Sequence, residues 1–126
     1  MFIVTDSVTV TTDAAGAADV DSVKFTGRLL SIQYVKDDFT DGVDFTITTA
    51  TTGRGVWTQI TQNASIVKAP RQACHSIVGV ALNYNDEGDE PVVDYIDLAD
   101  EGINIVVAQG GSGKVGTFRI NVEGVK

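Results

Sequence analysis

Alternation on every second residue dominates wherever this sequence is hydrophobic, and β-branched Val, Ile and Thr are abundant. A period of two puts alternate side chains on opposite faces of an extended chain, and β-branched residues suit the half-buried surface that results. Helical spacing is hard to find, so the pattern directs the chain to an all-β fold.

Phe2 to Thr12 reads as a first strand, with Val8 and Val10 on one face and the hydroxyls of Ser7, Thr9 and Thr11 on the other. Asp13 to Asp21, rich in Ala and Asp, reads as a loop or a single helical turn. Val23 to Lys36 is the longest strand expected. Gly27 interrupts it, and a bulge there would bring Leu30, Ile32 and Tyr34 onto the face begun by Val23 and Phe25. The Asp41-Gly42 turn signal predicts a hairpin to the strand carrying Val43, Phe45 and Ile47. After the turn at Thr52 to Gly55 comes Val56 to Ile60, with Trp57 facing away from Val56, Thr58 and Ile60. Ala64 to Lys68 and Ile77 to Leu82 read as short strands, with a loop around Pro70 between them. Val92 to Leu98 and Ile103 to Ala108 follow, separated by Ala99 to Gly102. The Gly-rich stretch 110–113 then predicts a last hairpin to Lys114 through Glu123.

About eight or nine short strands with Gly, Asp and Pro turns predict an antiparallel β-sandwich or small barrel, a jelly roll being one such arrangement. The 126 residues fit one domain, 1–126, with an extended N-terminal arm at 1–6, and a chain of that size can bury a hydrophobic core. Strand order is not fixed by this pattern.

Charge narrows the partners. Nine Lys and Arg against 17 Asp and Glu give a net charge of -8, which repels phosphate backbones and anionic lipid, so neither nucleic acid nor membrane is an expected partner. Segment 86–101 gathers Asp86, Glu87, Asp89, Glu90, Asp94, Asp97, Asp100 and Glu101, with no Lys or Arg between Arg71 and Lys114. That segment either meets a basic surface or keeps its loops solvated. The first residues lack a basic stretch ahead of an apolar one, and no apolar run approaches the roughly 18 residues of a membrane span, so neither secretion nor membrane insertion is expected and the chain reads as made in a reducing cytoplasm. One cysteine, Cys74, is consistent with that. Without a secretory signal, the Asn63-Ala64-Ser65 sequon is read as chance.

Motifs that carry chemistry fail on their details. Gly110-Gly111-Ser112-Gly113-Lys114 suggests a phosphate loop, but Val115 stands where Ser or Thr belongs, Ala108 where the first Gly belongs, and a strand follows where a helix is needed. Asn83, Asn85, Glu87, Gly88 and Asp94 fall at the spacing of a calcium loop. Asn83 replaces its first Asp, Asp94 its bidentate Glu, and Pro91 lies inside it. Asp37, Asp38, Asp41 and Asp44 form a second acidic group suited to turn chemistry. Cys74 and His75 are the only residues of their kinds, and as neighbours on an extended chain they point apart. That disfavours a nucleophile pair and excludes a zinc site of Cys and His within one chain. A serine triad would have to recruit His75 with no nucleophile-elbow sequence to present the serine. No cofactor and no metal are implied, and an enzyme is not expected. Trp57, the sole tryptophan, is either core, an interface anchor or a platform for a sugar ring, and the last would make the chain a carbohydrate-binding module of adhesin type.

Several strings together carry a family resemblance: 12–18 (TDAAGAA), 26–34 (TGRLLSIQY), 41–49 (DGVDFTITT), 106–111 (VVAQGG) and 114–118 (KVGTF). Through them most of the chain resembles the small head-decoration, or capsid cement, and minor virion proteins of tailed bacteriophages and prophages. The resemblance implies a β-rich structural protein that assembles as a homo-oligomer on the outside of the capsid and clamps subunits of the major capsid protein. A tail or neck position is the alternative within the virion. It brings no catalytic residue. The apolar residues Phe2, Ile3 and Val4 are expected to pair with a neighbouring strand edge, and with Trp57 they are the candidate interface residues.

Overall fold

A computed structural model describes residues 2–82 and 92–125. Among them are ten strands and no helix: β1 (Ile3–Thr11), β2 (Ala18–Asp21), β3 (Phe25–Val35), β4 (Val43–Thr49), β5 (Gly55–Gln62), β6 (Ile66–Lys68), β7 (Arg71–Ala73), β8 (Val93–Glu101), β9 (Ile103–Ala108) and β10 (Val115–Val125). They form two antiparallel sheets, one of six strands in the order β1-β10-β3-β8-β7 with β6 also on β3, the other of four in the order β2-β9-β4-β5. The alternation read from the sequence thus yields a β-sandwich.

Its core is what the inward positions of both sheets share. Val8 and Val10 of β1, Phe118, Ile120 and Val122 of β10, and Val43, Phe45 and Ile47 of β4 are all buried, as period two requires. Four aromatics meet at the centre. Tyr34 lies 4.9 Å from Phe45 and 5.2 Å from Phe118, ring to ring, while Phe45 meets Phe118 and Trp57 edge-on at 5.1 and 4.8 Å. Such tilted and edge-to-face pairs add to the stabilisation of area burial, and truncating Phe45 to Ala would cost about 3–5 kcal/mol.

Turn residues proved a poor guide to pairing. Both expected hairpins are corrected: β3 and β4 lie in different sheets, and so do β9 and β10, so Asp37 to Gly42 and the Gly-rich stretch 110–113 carry the chain across the sandwich. A Gly or Asp tip bends the backbone equally well in either use. The phase change in β3 also sits elsewhere than expected. Leu29, not Leu30, is buried, because the register against β10 shifts between Ser31 and Leu29 and leaves Leu30 unpaired there. At Gly27 there is a shift against β8, but the one additional residue lies on β8. Two strands, β2 and β7, arise where loops were expected, and Ile77 to Leu82 forms no strand.

Candidate functional site

The feature most unlike an ordinary sandwich loop lies beyond β7. Arg71, Gln72 and Ala73 pair with Tyr95, Asp94 and Val93 of β8, and the ladder continues as the Cys74 amide donates to the Val92 carbonyl at 2.9 Å. Leu82 then returns against Cys74, its amide donating to the Cys74 carbonyl at 2.8 Å. Between them His75 bridges Ala81, the Ser76 amide donates to the Val80 carbonyl at 2.8 Å, and Gly79, with φ of 84°, closes the tip onto the Ser76 carbonyl. Only a residue that tolerates left-handed backbone fits that position without strain.

This hairpin displays Ile77 fully, Val78 at 80 % and Val80 at 61 % exposure. From Gln72 to Leu82 there is no Asp, Glu, Lys or Arg. Exposed apolar side chains held by backbone hydrogen bonds on an uncharged loop have the composition of an interface core rather than of a solvated turn. The sequence had offered these residues as a strand, since a run of Val and Ile looks the same whether it is to be covered by its own sheet or by something else.

A second feature joins the sheets at one end of the sandwich. Glu101, the last residue of β8, is 3 % exposed, and its carboxylate accepts the amides of Thr51 and Thr52 at 2.9 and 2.6 Å and the Thr52 hydroxyl at 2.9 Å. Arg54, at the start of the strand-to-strand turn's exit, stands 3.6 Å from Glu101 and donates to the Asp97 carboxylate at 3.1 Å, with a further bond to the Asp97 carbonyl. Burial alone would push the Glu101 carboxyl up, but the Thr52 and Thr51 donors and Arg54 outweigh it and hold it below the usual value. Asp97 is likewise held low, first by the Arg54 hydrogen bond and then by Gln72. Thr51, Thr52 and Arg54, from the turn between β4 and β5 of one sheet, bind Glu101 and Asp97 of β8 in the other, which makes the cluster a structural clasp.

Arg71 lies over the Tyr95 ring at 4.2 Å, with Arg28 at 5.7 Å. The Arg71 guanidinium also donates to the carbonyls of Leu30 and Pro70, at 3.1 and 2.8 Å, which anchors the root of the hairpin to β3.

The residues singled out by sequence are spread over the molecule. Ile3 and Val4 begin β1, paired with Glu123 and Val122 of β10, and Phe2 and Ile3 are exposed at 69 % and 63 %. Trp57 is 8 % exposed, edge-on to Phe45, with its indole N–H donating to Gln59 at 3.2 Å, so it presents no open ring face for a sugar. Of the calcium-loop spacing, Asn83, Asn85, Glu87 and Gly88 lie outside the described residues. Asp94 is exposed, and its carboxylate accepts the Tyr95 amide. The group Asp37, Asp38, Asp41 and Asp44 is spent locally, on Thr117, on the Val115 amide, on Lys36 and on the Thr61 amide. In the Gly-rich stretch, the amides of Gly110, Gly113 and Lys114 already donate to the Gly16 carbonyl, the Asp13 carbonyl and the Thr12 hydroxyl. Among the described residues no three His, Cys, Asp or Glu side chains are placed to hold a metal. No protein-family model, curated protein or solved structure matches this chain.

Proposed function

We propose that this chain is a structural virion protein of a tailed bacteriophage, a capsid decoration protein that docks on the outside of the major capsid shell and stabilises it. The observation that carries the proposal is the hairpin Ser76–Val80, an uncharged apolar tip braced by backbone bonds and by Arg71. A rigid sandwich with one projecting apolar contact is suited to mechanical work: docking removes Ile77, Val78 and Val80 from water at little conformational cost, because the tip is already ordered. Capsid symmetry repeats the docking site many times, so a modest contact stabilises the shell in proportion to the number of copies bound. The net charge of -8 keeps the free protein soluble and favours a shell surface with basic residues.

On this proposal the partners are the major capsid protein and further copies of the chain, and the site of action is the virion exterior after synthesis in the bacterial host. Co-sedimentation with undecorated capsids tests it. Saturable pelleting with the shells supports docking, and protein left wholly in the supernatant at concentrations well above that of the shell sites counts against it.

A further inference from the structure

The sandwich has five free strand edges among the described residues, and four of them are blunted. β2 is four residues long and carries two Asp, and β6 and β7 have only three residues each. β5 bulges twice against β4, with Thr61 at φ of 53° near its end. Short length, charge and bulges are the devices by which β-proteins prevent edge-to-edge pairing. The fifth edge, β1, is neither short nor bulged. Its nine residues run in unbroken register with β10 from Ile3–Glu123 to Thr11–Val115, and from Phe2 to Thr12 there is no Pro, no Lys and no Arg. Its one charged side chain, Asp6, is drawn aside to accept the Val23 amide at 3.2 Å.

We infer that β1 is a self-association edge, and that two copies pair through it, antiparallel, about a two-fold axis at Ser7. The axis must stand perpendicular to the sheet, so each residue faces one of the same parity and the inner and outer faces of the two sheets stay continuous. Centring on Ser7 is the register that engages all nine residues. It sets Ile3 opposite Thr11, Val4 opposite Val10, Thr5 opposite Thr9 and Asp6 opposite Val8. Moving the axis one residue back would oppose Asp6 to Asp6, a like-charge pair that a ladder disfavours. The pairing joins two six-stranded sheets into one, satisfies the idle amides and carbonyls of β1, and brings the exposed Phe2 and Ile3 against the far end of the partner's strand. A second copy fits because this register matches the edge to itself over most of its length, Thr5 and Thr9 flanking paired Ser7 hydroxyls outside and Val4 meeting Val10 inside, while Asp6 meets Val8 rather than a like charge. With -8 on each chain, the dimer should tighten as salt is raised.

The test uses the purified chain without capsids, so its outcome is independent of shell docking. Sedimentation equilibrium of the wild-type protein should give twice the chain mass, more completely at high salt. With Cys74→Ser as background, Ser7→Cys should form a disulfide dimer on mild oxidation. Thr11→Cys should not, since its two copies would lie roughly 27 Å apart, eight strand residues from each other. Ser7→Lys and Ser7→Glu should each be monomeric, and their mixture should form a heterodimer. A wild-type monomer at all concentrations and salts, Thr11→Cys cross-linking as fast as Ser7→Cys, or charge variants that dimerise as well alone as mixed would each overturn the inference.

Discussion

Gly27 of β3 and Gly124 of β10 sit directly opposite each other, and neither has room for a side chain: a Cβ on Gly27 would overlap the Glu123 carbonyl oxygen, and one on Gly124 that of Thr26. Here the long central strands approach through bare backbone. Gly124→Ala should therefore destabilise the protein by about 2–3 kcal/mol, the upper part of the range for forced overpacking, because the atoms it meets are backbone. Gly53→Ala, at φ of 71° but with open space around it, should cost only about 1 kcal/mol. Thermal denaturation of the two variants distinguishes a close approach from a turn conformation.

The clasp at Glu101 predicts an acid limb to stability. The folded state holds the Glu101 carboxyl below its ordinary value of 4.5, and Asp97 below 3.8, so the stabilisation is complete above those values and is lost as pH falls through the lower folded ones. The melting temperature should drop as pH is lowered from about 4.5. Glu101→Gln should be less stable at neutral pH, by about 1–3 kcal/mol, and lose part of that acid dependence. An acid limb identical in wild type and variant would refute the assignment.

Tyr34 sets the opposite limb. Its hydroxyl is buried with no hydrogen-bond partner, and burial, aided by the charge of Asp37, pushes its pKa up to about 12. The unfolded chain ionises at about 10, so stability held below that value is lost as pH rises towards 12. Tyr34→Phe removes an unsatisfied polar group while keeping the ring, and should be neutral or stabilising by up to about 1 kcal/mol, with a flatter alkaline limb. Denaturant melts at pH 8 and pH 11 measure both effects.

The sequence made the core legible where strands alternate without interruption, as at Val8 and Val10 and at Val43, Phe45 and Ile47. It failed where a bulge changes the phase. Counting by twos from Ile96 and Leu98 points Asp100 inward, but Asp100 adopts φ of 51° and Glu101 takes the buried place. The clasp was hidden for the same reason, and because Thr52 and Arg54 reach Glu101 across 49 and 47 intervening sequence steps. Sheet membership was invisible at the Gly and Asp turns, whose local chemistry is the same for a hairpin and for a crossing between layers. The hairpin tip had a signal, eleven residues without a formal charge from Gln72 to Leu82, but burial and display give such a run the same composition.

That tip can be altered without touching the fold. Ile77, Val78 and Val80 are exposed, so replacing all three by Ser should leave the melting temperature within the small range of surface substitutions. Capsid affinity should fall on the order of 100-fold, about 1 kcal/mol for each apolar side chain no longer removed from water. Equal affinity of variant and wild type in co-sedimentation would move the docking surface elsewhere.

The most direct test is cryo-electron microscopy of undecorated shells incubated with saturating protein. Docking through the hairpin predicts added density repeating with the shell's own symmetry, the sandwich standing outside and residues 76–80 turned onto the major capsid protein. Bare shells, or copies bound with that hairpin facing solvent, would contradict it.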